Sequence, residues 1–173
     1  MTFKATPSIE YVNDDNDIEL VKLSVKIALV IAEKQNSITS SLIGWWTRSP
    51  YSHAELIVGN RWISSRIVTG VRVFDLRPLN DEVYDYIDLG DIYITKRQLE
   101  VFNNWVDYAI TLPYDKTGIV FSQFFPFSLD AKNKFFCSEV VCKLLQILGY
   151  EEVINKRPQN VSPGDLARIF KFK

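Results

Sequence analysis

What this chain has little of narrows its chemistry before any motif is considered. Seven glycines and seven prolines in 173 residues are too few for a collagen-like or low-complexity chain, and a 47% hydrophobic content with 24% charged residues excludes intrinsic disorder. Lysine plus arginine numbers 20 against 21 acids, a net charge of -1. That balance exerts no global pull toward nucleic acid or anionic membranes, so nucleic acid is not an expected partner. The longest apolar run, Leu20 to Ala32, is interrupted by Lys22 and Lys26 and falls short of the roughly 20 residues a membrane span needs. No transmembrane segment is expected. The first residues, Met1 to Asp15, lack the basic start and apolar run of a secretory signal, which leads to an expected cytoplasmic, reducing location.

The two cysteines, Cys137 and Cys142, lie five apart. On one helix that spacing turns them to different faces, so a disulfide framework is not expected. His53 is the only histidine, and one histidine with two cysteines so spaced does not match zinc-ligand patterns. Phosphate-cradling glycine loops and the Gly-x-Ser-x-Gly elbow of serine hydrolases are also missing. No metal or cofactor is therefore expected.

The length suits one domain spanning residues 1–173, with residues 1–17 as a polar N-terminal arm. Val21 to Ile31 alternates apolar and polar residues, the signature of a strand whose second half is covered on both sides. A short helix is predicted over Ile38 to Trp46. Strands are predicted at Ser52–Val58, Arg61–Ser65, Val68–Leu76 and Val83–Leu89, forming an antiparallel meander. Thr95 to Gln98 reads as a capping box that opens a helix ending before Pro113. Phe136 to Leu148 gives a mostly buried helix, with Gly149 as a left-handed C-terminal cap. Ser162, Pro163 and Asp165 open the last helix. Strands first and helices mainly after them make an α+β layout.

Within that layout His53 and Glu55, two apart on a strand, share a face, so the carboxylate can orient the ring. A lone histidine is more often a satisfied, partly buried side chain than a catalyst. Cys137 stands at the start of the helix over Phe136 to Leu148, where the positive helix end lowers a thiol's pKa. Cys142, between Val141 and Leu144, reads as a small structural hydrophobe. Each residue alone has an ordinary structural reading, and only their combination points to nucleophilic chemistry. Ser64 and Ser65 could approach His53 from the next strand. The aromatics Trp45, Trp46 and Phe121 to Phe127 read as core packing before ligand platform.

Four segments carry a family resemblance: Ser52-His53-Ala54-Glu55-Leu56, Pro113-Tyr114-Asp115, Phe136-Cys137-Ser138-Glu139-Val140-Val141, and Ser162-Pro163-Gly164-Asp165-Leu166. In order and rough spacing they resemble the YiiX-like branch of the permuted papain-like enzymes, a superfamily that includes NlpC-type cell-wall peptidases and the lecithin retinol acyltransferase group. The resemblance covers the chain from about Val21 to the end. It implies a circularly permuted papain-like fold in which the histidine strand precedes the nucleophile helix. By that match Cys137 is the nucleophile at a helix N-terminus, His53 the base, Glu55 or a group on the following strand the third residue, and Tyr114 a cleft residue. It implies hydrolysis or acyl transfer at an amide, ester or thioester bond, on a peptide, lipid or conjugated acyl substrate. Two other readings stand beside it: a catalytically silent module using the same cleft for a peptide, lipid or protein, and a virus-encoded protein acting inside its host.

Overall fold

The computed structural model of the protein describes residues 11–13, 19–34, 49–66, 69–111 and 137–171. Within them, strands β1 (Tyr11–Asn13), β2 (Glu19–Ile31), β3 (Tyr51–Val58), β4 (Arg61–Arg66), β5 (Gly70–Asp75) and β6 (Tyr84–Thr95) form a single antiparallel sheet. Helices α1 (Lys96–Thr111), α2 (Cys137–Leu148), α3 (Glu151–Ile154) and α4 (Pro163–Lys171) follow the strands, so the architecture is α+β.

The strands β2 to β5 run as the expected meander, but β6 does not continue it. It returns to the far side of β2 and pairs along nearly its whole length, from Leu20↔Thr95 to Val30↔Tyr84. β2 thus lies between β6 on one side and β1 and β3 on the other, and its second half, Ile27 to Val30, is buried on both faces. Two expected boundaries are corrected. Residues 11–13, assigned to the arm, form β1 against β2. The last strand, expected to stop at Leu89, runs on to Thr95 through a bulge: the register slips between Ser24 and Lys26 opposite Gly90, whose φ of +77° suits a residue without Cβ. The helix expected over 38–46 lies outside the described residues.

Strand alternation sorts the sheet's side chains onto two faces. One carries Leu23, Val25, Ile27 and Leu29 of β2 with Ala54, Leu56 and Val58 of β3. Against it pack Phe102 and Val106 of α1, Leu144, Leu145 and Leu148 of α2, and Leu166 of α4. Each such large apolar side chain, fully buried, contributes about 2 kcal/mol. The other face holds a smaller cluster of Ala28, Ile57 and Trp62 under Tyr84 and Tyr86.

The helix caps follow the local sequence. Gly149 has φ +90°, with its N–H on Gln146 O and that of Tyr150 on Leu145 O, which closes α2 as a Schellman motif. At α4, Asp165 N–H donates to Ser162 Oγ (3.1 Å) and Ser162 N–H to Asp165 Oδ2 (2.9 Å), a reciprocal box. Only half of the box expected at α1 forms: Gln98 N–H bonds Thr95 Oγ1 (3.1 Å), but the Gln98 amide reaches Ile147 O (2.9 Å) and ties α1 to the end of α2.

Candidate active site

β3 begins irregularly. Val30 pairs with His53 and Ile31 with Tyr51, leaving Ser52 as an extra residue between them. Bulges of this kind bend the strand and re-aim the side chains beside them. His53 here lies against the start of α2, where its imidazole hydrogen-bonds the sulfur of Cys137, the helix's first residue. Cys137 is half-buried and its sulfur also receives the main-chain N–H groups of Ala54 and Ser138. Both cysteines are free thiols.

The rest of the site is built by register. The turn at Gly59 and Asn60 sets Val58 opposite Arg61 and Leu56 opposite Ile63. One further step puts Ser64 opposite Glu55, with Trp62 and Arg66 on the same face to either side. Glu55 is fully buried and collects donors from every direction. Its Oε1 lies 3.2 Å from His53 Nε2, accepts Ser64 Oγ at 2.5 Å and meets Arg66 Nη2 at 3.4 Å. Its Oε2 accepts Trp62 Nε1 and lies 3.7 Å from Arg77 Nη2. Ser64 Oγ is itself 3.4 Å from His53 Nε2.

The charges reinforce one another. Burial opposes charging His53, but the Cys137 sulfur, by its charge and then its hydrogen bond, and Glu55 after it raise the imidazole from 6.5 to about 10. Burial would likewise raise the Cys137 thiol, yet the charge and hydrogen bond of His53 and the two main-chain donors hold it below the ordinary thiol range. For Glu55, burial is outweighed by the hydrogen bond and charge of His53, then by Ser64 and Arg66, and the carboxyl falls from 4.5 to about 2. Each shift favours the charged form of its group, the anion for Cys137 and Glu55 and the cation for His53 between them. Cys142 behaves oppositely, since burial pushes its thiol up to about 11.

Of the residues singled out from sequence, Cys137, His53 and Glu55 come together in space, and Ser64 joins them. Ser65 alternates to the opposite face of β4. Tyr114 lies outside the described residues. Trp62, Arg66 and Arg77 were not anticipated around Glu55. For the first two the signal was present, because the short β3–β4 turn fixes which residues of β4 flank Glu55. Arg77, in the segment between β5 and β6, has no comparable register. Among the described residues no helix is long and apolar enough to cross a membrane. No family model, curated protein or solved structure matches the chain.

Proposed function

We propose that this protein is a cysteine-dependent hydrolase or acyltransferase of the permuted papain-like kind, acting on an amide, ester or thioester bond. The observation that carries the reading is one contact set: a sulfur at the first residue of a helix, hydrogen-bonded to an imidazole whose Nε2 faces a buried carboxylate. In this reading Cys137 attacks as a thiolate, and Nδ1 is the ring nitrogen left to exchange a proton with it. The thiolate adds to the acyl carbon, and the carbonyl oxygen takes up the negative charge. Main-chain N–H groups of the first turn of α2, where a helix has no intrahelical acceptors for them, are the donors this reading assigns to it. Collapse of the adduct forms a thioester, and His53 gives its proton to the departing amine, alcohol or thiol. Water or a second nucleophile then loses a proton to His53, attacks the thioester carbonyl and releases the Cys137 thiolate. Glu55 holds the ring's orientation and stabilises its charged form. The permuted fold is supported by chain order, since the histidine strand precedes the cysteine helix.

The test needs no substrate. Alkylation by iodoacetamide, with mass spectrometry assigning the thiol, is followed from pH 5 to 10 in wild type and His53→Ala. Cys137 is expected to react well below pH 8.5, to lose on the order of tenfold or more of its rate at pH 6 without His53, and to react ahead of Cys142 throughout. Ordinary Cys137 reactivity, unchanged by the mutation, overturns the reading and leaves a binding module in its place. Once a substrate is found, full turnover by Cys137→Ala does the same.

A further inference from the structure

The ladder between β3 and β4 spans only Leu56 to Val58. Among the described residues, the part of β3 that carries His53 is therefore laddered to β2 alone, and its register slips immediately before His53, between Val30 and Ile31 of β2. A bulged strand start with one neighbour has several backbone courses open to it, and each would aim the imidazole differently. The last helix restricts that choice. α4 packs on β3 and β6 and touches the residues just before His53 at both of its ends. In its first turn, Gly164 lies so close to Ser49 that a Cβ there would fall 2.5 Å from the serine Cβ, and Ser49 Oγ accepts the main-chain N–H of Tyr51 at 3.2 Å. In its last turn, Lys171 Nζ donates to Tyr51 Oη at 3.0 Å and to Asp85 Oδ2 at 2.5 Å. Tyr51 closes the triangle by donating its hydroxyl to Asp85 Oδ2 at 2.5 Å. Asp85 stands on β6, across β2 from β3, since Leu29 pairs with Asp85 on one side and with Ala54 on the other. Three elements thus meet at one buried tyrosine, two residues before His53. As an ion pair Lys171 and Asp85 add little to stability, because their side chains are 39% and 40% exposed. What the cluster supplies is direction: the one proton and the lone pairs of the tyrosine hydroxyl find an acceptor and a donor in fixed places.

We infer that Tyr51, Asp85 and Lys171 form a latch that fixes the bulged start of β3 and, through it, the aim of the His53 ring at the Cys137 sulfur. They are positioning residues. Asp85 and Lys171 cancel in charge, whereas the groups that set the ionisation of the site are Cys137 of α2, His53 and Glu55 of β3 and, around Glu55, Arg66 of β4, Tyr84 of β6 and Arg77. The role rests on Cys137 being the nucleophile and His53 its partner, and it makes the C-terminal turn of α4 part of what keeps that pair reactive.

The pH profile of Cys137 alkylation by iodoacetamide tests the latch in wild type, Tyr51→Phe, Asp85→Asn, Lys171→Met and Lys171→Arg. Loss of any one corner should move the midpoint of the profile up toward the ordinary value of about 8.5 and slow the reaction at pH 6 by roughly threefold to tenfold, with the rate near pH 10 changed little. Lys171→Arg keeps a cation with donors for both oxygens and should retain the wild-type profile. The sign of the shifts separates positioning from charge acting through space. Direct electrostatics would raise the thiol's pKa when Lys171 is neutralised and lower it when Asp85 is, whereas a loosened β3 raises it in both. Cys142, buried on α2 with its thiol pushed up to about 11, reports general loosening, which would open both thiols without moving the Cys137 midpoint. Unchanged midpoints, opposite shifts for Asp85→Asn and Lys171→Met, or equal gains in Cys137 and Cys142 labelling overturn the latch and leave the nucleophile standing. A wild-type Cys137 of ordinary reactivity, insensitive to His53→Ala, instead removes the reading on which the latch depends. Lys171 lies half-exposed in the last turn of α4, so Lys171→Met decides the matter even where Tyr51→Phe fails to fold.

Discussion

Replacing Glu55 by glutamine removes one charge while keeping the side chain's shape, and the structure sets what that charge is worth. The folded carboxyl titrates at about 2 against an ordinary 4.5, and each pH unit between those values corresponds to 1.36 kcal/mol. The ionised form therefore contributes about 3 kcal/mol to stability. The side chain is 0% exposed, so solvent screening takes little from that figure. A folded pKa below the unfolded one fixes the sign. The contribution is complete above pH 4.5 and disappears as the pH falls toward 2, with about 2 kcal/mol of it gone by pH 3.

The assay is urea unfolding of wild type and Glu55→Gln at half-unit steps from pH 7 to 3, read by tryptophan fluorescence. Other carboxylates titrate in both proteins and cancel in the difference. The gap between the two proteins should be about 3 kcal/mol at pH 7 and should narrow to about 1 kcal/mol at pH 3. A gap that stays constant with pH would mean that Glu55 is not held ionised by His53, Ser64 and Arg66, and the electrostatic account of the site would fail. The same substitution should slow Cys137 alkylation near pH 6, because the imidazolium loses its acidic partner.

Three further perturbations probe the surroundings. Trp62→Phe keeps an aromatic ring but deprives Glu55 Oε2 of its indole donor; a loss of about 1 to 3 kcal/mol is expected, together with a rise in the Glu55 pKa visible by carboxyl 13C NMR. A Cβ at position 164 would meet Ser49 Cβ at 2.5 Å and Oγ at 2.6 Å. Gly164→Ala should thus lower Tm by several degrees despite the better helix propensity of alanine, and Ser49→Gly in the same chain should recover the loss. Ser52 Oγ is buried without a hydrogen-bond partner among the described residues; Ser52→Ala should be neutral or stabilising in thermal melts, and marked destabilisation would show that the hydroxyl is in fact satisfied.

Which parts of the fold were readable in the sequence follows from the range of the interactions that set them. β2 shows in its own alternation, and the α2 cap at Gly149 and the α4 box at Ser162 depend on residues within one helical turn of each other. Each is decided locally, so each is visible locally. The strand after Val83 was cut short at Leu89 because Gly90 breaks the pattern there. In the folded chain the long ladder to β2 carries β6 past that glycine, and the bulge absorbs the extra residue. Gln98 shows the same competition on a smaller scale. Its spacing from Thr95 favours a reciprocal cap, but the carbonyl of Ile147 takes its amide once α1 and α2 are packed together.

The site divides along the same line. His53 and Glu55 share a face by strand period alone, and the short β3–β4 turn extends that inference to Trp62, Ser64 and Arg66. Reading Glu55 and Ser64 as alternatives for the third position missed what their pairing produces. Ser64 donates to Glu55 at 2.5 Å while both lie within 3.4 Å of His53 Nε2, so the hydroxyl supports the acid instead of replacing it. That arrangement also explains how a wholly buried carboxylate is tolerated here, since an isolated one would be neutralised by protonation. Trp62 and Ser64 satisfy its oxygens, His53 balances its charge, and the two arginines approach only from the rim. Removing a rim arginine, half-exposed and at 3.4 or 3.7 Å from the carboxylate, should therefore cost far less stability than removing Trp62 or Ser64, a separation that urea unfolding of Arg66→Gln, Trp62→Phe and Ser64→Ala would show directly; equal losses would mean that the arginines, too, hold the buried charge.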